Sequence, residues 1–171
     1  DPADAMAADY TATFSTDAAP GASAEAEVSG GYTPIPAGGL SDVDRDGSLR
    51  VTFSEPVDVA GNWFAIACPA SGARTVADTA VSGGPTTFTI DPNADFAPGE
   101  ACTLTVVAAQ VTDQDASDPP NTMASDATFS FTSADTAPML AASAPSGTVA
   151  ANNDISLTIS EPVNVTGGCF V

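Results

Sequence analysis

Lysine and histidine are absent from this sequence of 171 residues, and only three arginines stand against 22 aspartates and glutamates. The formal net charge at pH 7 is therefore −19. A surface so acidic repels the phosphates of nucleic acids and anionic lipid headgroups, because it has almost no cations with which to replace their counterions. We therefore expect no nucleic-acid partner and no binding to a membrane surface, whereas divalent cations would be attracted.

Long apolar runs are also missing. No stretch of about 18 apolar residues is present, and no basic segment precedes a short apolar one, so the sequence predicts neither a transmembrane helix nor a signal peptide. Aromatic residues make up 6% of the chain and hydrophobic residues 43%. Because the hydrophobic residues are mostly alanine and valine, they favour the thin core of a β-sandwich over disorder. We interpret the chain as a mature segment or an excerpt, without membrane insertion.

What the sequence does contain is an internal repeat. The stretch VTFSEPVDVAGNWF at 51–64 returns as LTISEPVNVTGGCF at 157–170, with a constant offset of 161 − 55 = 106 residues. The opening DPADAMAADYTATF is similar to DPPNTMASDATFSF further along the chain. A period of roughly 100 to 115 residues matches one small independent domain, so the sequence predicts a tandem array. The predicted parts are the final strand of a preceding domain (1–19), a complete domain (20–134) and the first strands of a following domain (138–171).

Strands are predicted throughout the complete domain, because apolar and polar residues alternate in several short segments. Segments rich in Gly, Pro, Asp and Asn separate them and have the composition of turns. No segment of about ten residues or more has helical periodicity with capping residues. Short alternating strands at this spacing predict an antiparallel β-sandwich of about seven strands. The apolar positions of the strands are Leu49, Val51 and Phe53; Phe64, Ile66 and Cys68; Phe88 and Ile90; Cys102, Leu104 and Val106; and Phe129 and Phe131.

Three stretches carry a family resemblance: VTFSEPVDVAGNWF, SGGPTTFTIDPNADFAPGEACTLTVVAAQVTDQDASDPP and ATFSFTSADTAP. On these stretches the sequence resembles the bacterial immunoglobulin-like domain of the S-layer (SbsA) type, over 20–133 and in fragments at both ends. The resemblance implies an all-β, immunoglobulin-like Greek-key β-sandwich that is used in tandem in secreted or cell-surface proteins, including S-layers and adhesins. It therefore implies an extracellular or cell-surface location and no catalytic residues.

The complete domain differs from its partial copy before the first strand pair. Pro20 and Glu55 are separated by 55 − 20 = 35 residues, whereas the corresponding Pro138 and Glu161 are separated by 161 − 138 = 23. About a dozen residues are therefore inserted in the complete domain, and they contain GYTPIPAGG.

The cysteines suggest a covalent link. Cys68 and Cys102 lie on the apolar parity of their predicted strands, so their side chains should face the same core. In an extracellular module they predict a disulfide, and the alternative is a pair of buried thiols in a reducing compartment. Cys169 takes the place of Trp63 in the repeat and is the odd cysteine. We expect its partner in polypeptide that this chain does not include.

The segment DVDRDG at 42–47 is a candidate calcium site. Asp42, Asp44 and Asp46 alternate ahead of Gly47, a spacing that lets a tight loop fold several oxygens around one hard cation. The segment resembles only the first half of an EF-hand loop, because the twelfth position is the core residue Phe53. Further ligands would have to come from elsewhere, and the alternative is a solvated acidic turn.

A second acidic cluster, in DQDASD, consists of Asp113, Asp115 and Asp118. Its spacing is also compatible with Ca²⁺, but it lacks the glycine that a tight ligand loop requires. The alternative here is again a solvated turn.

The sequence predicts no enzymatic activity. Without lysine or histidine, general acid–base or nucleophilic chemistry would depend on carboxylates alone. The recurring Glu55 and Glu161 fall in different predicted domains, and a proline follows each directly. This position is typical of a strand end rather than of the paired carboxylates of a glycosidase.

These observations favour a structural module of a tandem extracellular array or fibre, with rigidity and reach as its role. Its partners would be adjoining copies of the same domain, head-to-tail, that cover the partial domains at both ends. The alternative is an adhesive or carbohydrate-binding stalk module, in which Trp63 and Tyr32 would form an aromatic surface for a sugar; Trp63 is otherwise a packing residue. A glycan attached at the Asn164 sequon would depend on the host.

Overall fold

The computed structural model describes residues 18–114, 121–145 and 154–160, together with residues 150, 163, 164 and 167. The chain divides into two compact units, the first ending at Ala134 and the second beginning at Asp135. We call them unit 1 and unit 2 and describe each by itself. The final strand predicted for the start of the chain lies outside the described residues, so the assignment of both chain ends to neighbouring domains stays a prediction.

Unit 1 is a sandwich of two five-stranded sheets. Sheet 1 is antiparallel and has the order β2, β1, β4, β9, β8, whereas sheet 2 has the order β3, β12, β10, β6, β7. A small ladder joins β5 to β11. The strands, numbered along the chain, are β1 Ala22–Val28, β2 Gly31–Pro34, β3 Leu40–Val43, β4 Leu49–Phe53, β5 Val57–Val59, β6 Phe64–Cys68, β7 Gly72–Arg74, β8 Thr79–Gly83, β9 Thr87–Pro92, β10 Ala101–Val106, β11 Val111–Asp113 and β12 Ala127–Ser133.

The connections of unit 1 pass repeatedly from one sheet to the other. The chain leaves sheet 1 after β2 and enters sheet 2 with β3, which runs parallel to the last strand, β12. It returns to sheet 1 with β4 and crosses to sheet 2 with β6 and β7. Strands β8 and β9 then lie in sheet 1, and β10 lies in sheet 2. The predicted all-β, immunoglobulin-like Greek-key sandwich is therefore confirmed for unit 1, but its two sheets hold ten strands rather than about seven, and β3 and β12 form a parallel pair. Within the described residues, its helical elements are two short 3₁₀ turns, Val76–Asp78 and Ala108–Gln110.

The core follows the alternation that the sequence predicts. In β4, the inward side chains of Leu49, Val51 and Phe53 are at most 2% exposed, while the intervening residues are half-buried. The same pattern holds in β6, β9 and β10, where the apolar parity faces the opposite sheet. An aromatic group occupies one end of the core, because the ring of Trp63 lies 5.1 Å from that of Phe88. Burial of alternate apolar side chains from both sheets is what holds the sandwich closed.

The inserted residues of unit 1 form an additional edge strand. After β1 the chain turns at Ser29 and Gly30, whose φ angles of 53° and 76° are those of a two-residue type I′ hairpin. The chain then returns as β2, which pairs with β1 from Glu27 opposite Tyr32 to Val28 opposite Gly31. The insertion therefore widens sheet 1 by one strand beyond β1 and leaves the pairing of β1 with β4 intact.

Unit 2 repeats the first strand pair of unit 1. Strands β13 (Leu140–Ala144) and β14 (Ser156–Ile159) are antiparallel neighbours. Each residue of β14 lies 106 positions after its counterpart in β4, as in the sequence repeat. The pair Ser143–Leu157 of unit 2 corresponds to the pair Ala24–Val51 of unit 1. The pair Leu140–Ile159 likewise corresponds to the pair Ala22–Phe53.

The serine of the repeated Ser-Glu-Pro-Val motif makes the same two hydrogen bonds in both units. In unit 1, Ser54 Oγ accepts from the backbone N–H of Gly21 at 2.9 Å, and the Ser54 N–H donates to the Gly21 carbonyl at 2.9 Å. In unit 2, Ser160 Oγ accepts from Met139 N–H and the Ser160 N–H donates to the Met139 carbonyl, both at 2.9 Å. This serine clamp holds the start of the first strand against the end of its partner, which gives the serine of the motif the same role in both units.

We expect Ser54→Ala to lower the free energy of unfolding by about 0.5–1.5 kcal/mol, because the N–H of Gly21 loses its side-chain acceptor. Chemical denaturation of the full chain measures this difference. The control is Ser82→Ala, since Ser82 is exposed on the edge strand β8. Equal stability of Ser54→Ala and wild type would show that the clamp does not hold the strand pair.

Candidate functional site

The two cysteines of unit 1 form a disulfide across neighbouring strands of one sheet. The register that pairs Ala67 of β6 with Thr103 of β10 places Cys68 opposite Cys102. Their sulfur atoms are 2.05 Å apart and their Cα atoms 4.4 Å apart. Both side chains face the core, as predicted, but they belong to the same sheet. The loop-closure model gives such a link, over 34 residues, a stabilisation of about 3 to 4 kcal/mol.

A buried carboxylate, Glu100, lies directly beside this disulfide. The Glu100 side chain is 7% exposed. In the described part of the chain, Glu100, Cys68 and Cys102 are the three potential metal ligands that lie close together. The two sulfur atoms are bonded to each other, so they cannot act as thiolate ligands in this state. Glu100 was not among the residues predicted from the sequence. The sequence did contain an indication of its burial. Glu100 directly precedes β10 and has the same parity as the inward-facing Cys102 and Leu104.

Backbone amides surround the Glu100 carboxylate. Oε2 accepts from the N–H groups of Ala70 and Ser71 at 2.9 and 3.0 Å, and Oε1 accepts from Ala97 N–H at 2.8 Å and from the Ser71 hydroxyl. Burial raises the pKa of the Glu100 carboxyl, but the hydrogen bonds from Ser71, Ala70 and Ala97 together outweigh it and lower the pKa from its ordinary value of 4.5. The carboxylate thus ties the turn after β6 to the loop before β10.

The loop before β10 is also held by the guanidinium groups of two arginines. Arg74 is 6% exposed and donates to the carbonyls of Ala94 and Asp95, with its guanidinium 4.7 Å from the ring centre of Phe96. Arg45 donates from Nε to the Phe96 carbonyl at 2.9 Å. Phe96 itself is fully buried. Arg45 and Arg74 are therefore engaged in holding this loop.

The first predicted calcium segment has a structural role in unit 1. The Asp44 carboxylate accepts from Ser29 N–H at 3.0 Å and from Gly30 N–H at 2.9 Å, so it caps the turn between β1 and β2. Asp42 accepts from the neighbouring Ser41 hydroxyl, and Asp46 is exposed. Within the described residues, these three carboxylates do not form a group close enough to share an ion. Calcium binding by Asp42, Asp44 and Asp46 stays a prediction.

Gly47 is required for close packing in the same segment. Its N–H donates to the Asp44 carbonyl at 2.9 Å and closes a turn. A Cβ at this position would lie 2.9 Å from the Asp44 carbonyl oxygen and 3.1 Å from Glu27 Cβ. The sequence suggested that Gly47 serves a ligand loop. In the structure, the close approach of this turn to β1 accounts for the glycine.

The second predicted cluster is described only in part. Asp113 is 8% exposed at the end of β11, where its N–H donates to the Asn121 carbonyl at 2.9 Å. Asp115 and Asp118 lie outside the described residues, so the structure does not test whether the three carboxylates meet.

The aromatic surface considered for sugar binding does not include Trp63. Its side chain is 3% exposed and packs against the rings of Phe53 and Phe64, with ring centres 6.2 and 4.8 Å away. Tyr32 is half-buried on the outer face of sheet 1, where the Arg50 guanidinium stacks 3.7 Å from its ring centre. Trp63 is thus a packing residue, and Tyr32 remains the aromatic candidate for a surface contact.

The fold and these side-chain arrangements define an immunoglobulin-like module in which Asp44, Glu100, Arg45 and Arg74 hold loops. None of the helical segments in the described part of the chain is long and apolar enough to cross a membrane. The chain belongs to the family of bacterial Ig-like domains, whose model matches residues 33–133. The family resemblance seen in the sequence is thereby confirmed.

One solved structure with detectable similarity is that of the surface layer protein SbsC, domains 1–6. It is 21% identical over 58% of this chain, with a TM-score of 0.36, and the match spans 14% of the SbsC chain. A likeness of this size supports no conclusion about function. No curated protein matches the sequence.

We predict that Glu100→Gln lowers the free energy of unfolding at pH 7 by about 1–3 kcal/mol, because an amide cannot accept all the hydrogen bonds that the carboxylate accepts. Because the folded pKa of Glu100 is lowered, its stabilisation is present above the ordinary pKa and is lost as the pH falls through the folded value. The difference between wild type and Glu100→Gln should therefore shrink below pH 4.5. Denaturation from pH 7 to pH 3, with Asp91→Asn as an exposed control, tests this, and parallel curves for wild type and Glu100→Gln would contradict it.

We predict that Asp44→Ala destabilises unit 1 by about 0.5–1.5 kcal/mol in the presence of EDTA, because the turn at Ser29 and Gly30 loses its acceptors. Asp46→Ala should have no effect under these conditions. If the segment also binds Ca²⁺, millimolar Ca²⁺ should raise the Tm of wild type, and Asp42→Ala and Asp46→Ala should remove that rise. An unchanged Tm with Ca²⁺ or EDTA would leave only the structural role.

Proposed function

We propose that this chain is a structural, non-catalytic part of a tandem-repeat protein that is exported to the bacterial surface or beyond, where its immunoglobulin-like units provide a rigid, extended scaffold. The partners of each unit would be adjoining copies of the same kind of domain, arranged head-to-tail. The observation that carries the proposal is the repetition of the strand pair β1–β4, with its serine clamp, as β13–β14 in unit 2.

The short connection between the two units supports a stiff array. Ala134 is held inside unit 1, because its N–H donates to the Val43 carbonyl at 2.7 Å. Met139 is held inside unit 2 by the serine clamp at Ser160. Only the four residues 135–138 lie between these two positions, and they include Pro138. Short linkers that contain proline are stiffer than linkers rich in glycine and serine.

The chemistry of the side chains supports a non-catalytic role. The chain has no histidine and no lysine, and the buried carboxylate of Glu100 has both oxygens engaged by backbone N–H groups. A carboxylate held in this way is stabilised as an anion and is a poor general acid or base near neutral pH. Glu100 thus fits a structural purpose.

The alternative is an adhesive or glycan-binding stalk module. One observation favours it, namely the stacked Tyr32 and Arg50 side chains on the outer face of sheet 1. An aromatic ring beside a cation is a frequent element of binding surfaces. Arg50 is, however, also paired with Glu25 at 3.4 Å, so that this cation already has an internal partner.

Small-angle scattering on concatenated copies of residues 20–138 tests the scaffold function. A stiff array predicts that the maximum dimension grows in proportion to the number of copies from two to four. Replacement of 135–138 by a longer glycine–serine linker is the control and should give the weaker growth of a flexible chain. Equal growth in both series would contradict the scaffold. Binding on a glycan array that Tyr32→Ala removes would instead support the stalk module.

A further inference from the structure

The carboxylate of Glu100 lies close to both sulfur atoms of the disulfide. One of its oxygens and the Sγ atoms of Cys68 and Cys102 all lie within 4.8 Å of one another. Among the described residues, the ion pair that forms lies on the outer face of sheet 1 and does not include Glu100. The donors to Glu100 are backbone N–H groups and the Ser71 hydroxyl, which stabilise the anion without removing its formal charge. The disulfide therefore lies beside a fixed negative charge.

The two sulfur atoms differ in their accessibility to a reductant. Cys68 is 8% exposed, whereas Cys102 is 2% exposed. A thiolate reductant therefore attacks Sγ of Cys68, and the S–S bond breaks with its electron pair passing to Sγ of Cys102. A second reductant thiolate then attacks the reductant sulfur of this mixed disulfide, and proton uptake leaves two thiols in the protein and one disulfide in the reductant. The first leaving thiolate thus forms in the more deeply buried position.

We propose that Glu100 is an electrostatic shield for this disulfide, which slows its reduction by thiols. As the S–S bond breaks, negative charge develops on the Cys102 sulfur, and a like charge nearby in a buried site disfavours it. A leaving thiolate that is less stable leaves more slowly. The attacking thiolate is itself an anion and meets the same repulsion. The cross-link between β6 and β10 consequently persists for longer in a solution that contains thiols.

The same group of residues is a poor metal site even after reduction of the disulfide. A carboxylate has about four lone-pair positions, two on each oxygen. In Glu100, Oε2 accepts from the N–H groups of Ala70 and Ser71, and Oε1 accepts from Ala97 N–H and the Ser71 hydroxyl. An ion would therefore bind Glu100 only by displacing a donor that holds a loop. This arrangement favours an anion that stays in place beside the sulfur atoms.

Reduction kinetics of the full chain test the shield. All chains carry Cys169→Ser, so that Cys68 and Cys102 are their only cysteines. The reductants are small thiols of different charge, compared at equal thiolate concentration. Cysteamine carries an ammonium group, mercaptoethanol carries no further charge, and mercaptoethanesulfonate carries an additional anion. Samples are quenched with iodoacetamide at intervals, and mass spectrometry measures the fraction of alkylated cysteines.

We expect mercaptoethanol to reduce Glu100→Gln about tenfold faster than the parent chain, because the repulsion at the leaving sulfur is removed. In the parent chain cysteamine should react faster than mercaptoethanesulfonate, and Glu100→Gln should lower the ratio of these two rates by about threefold. The ratio is the decisive measurement, since a loop that merely opens more often admits all of these thiols alike.

The controls separate the charge of Glu100 from its role in holding a loop. Ser133→Ala loosens the same loop without changing a charge, because Ser133 Oγ accepts from the Glu100 N–H at 3.0 Å and donates to the Ala97 carbonyl at 2.6 Å. Any acceleration in that variant should be equal for all of the thiols. Asp91→Asn removes an exposed charge on sheet 1 and should leave the ratio unchanged.

Two outcomes would overturn the inference. One is that Glu100→Gln and the parent chain are reduced at equal rates, and the other is an acceleration with an unchanged ratio, which would leave Glu100 a structural role alone. Should Glu100→Gln fail to fold, Glu100→Asp still tests the shield, because it loses hydrogen bonds but keeps the charge. Reduction of Glu100→Asp at the parent ratio supports the shield, and a lower ratio contradicts it.

Discussion

The scarcity of positive charge is the constraint on which the rest of this structure depends. Since three arginines cannot neutralise 22 acids, several carboxylates accept hydrogen bonds from backbone N–H groups instead. Asp44 binds two amides of a hairpin turn, Glu100 binds three amides of two loops, and Asp126 accepts from Ala108 N–H at 2.8 Å. Among the described residues, the ion pair that forms is Arg50 with Glu25. Each such acid therefore fixes a loop as well as satisfying its own charge.

The arginines complement this arrangement by binding carbonyls. Arg45 and Arg74 donate to the carbonyls of the loop around Phe96, and Phe96 closes one end of the core against Phe131, with ring centres 5.3 Å apart. The disulfide and Glu100 hold the start of the next strand from the other side. Charged side chains thus stabilise the connections, while alternate apolar residues stabilise the sheets. Both sets of interactions are internal to unit 1.

The central strands could be predicted from the sequence because their apolar parity is strict, as Leu49, Val51 and Phe53 illustrate. The strands β1 and β2 could not, since β1 turns mainly alanines inward, with the partly buried Val28 at its end, and β2 depends on a hairpin whose turn includes a serine at positive φ. The acid spacing of Asp42, Asp44 and Asp46 suggested a metal loop, because sequence alone does not show that the amides of a distant turn occupy Asp44. Glu100 was detectable in principle, as a carboxylate on an apolar parity, but its partners come from loops that are far away in sequence.

Because the serine clamp holds two strands together, their pairing does not depend on the length of the chain that connects them. In unit 1 the chain between β1 and β4 forms an extra hairpin strand, and in unit 2 the corresponding connection is shorter. The strands are still paired in unit 2, with a register shift between Leu140 and Ala142 that unit 1 lacks. The polypeptide between the clamped ends is consequently free to diversify, because insertions there do not alter the core. The outer edge of sheet 1 can therefore differ between units of this kind, while the paired strands at its centre are retained.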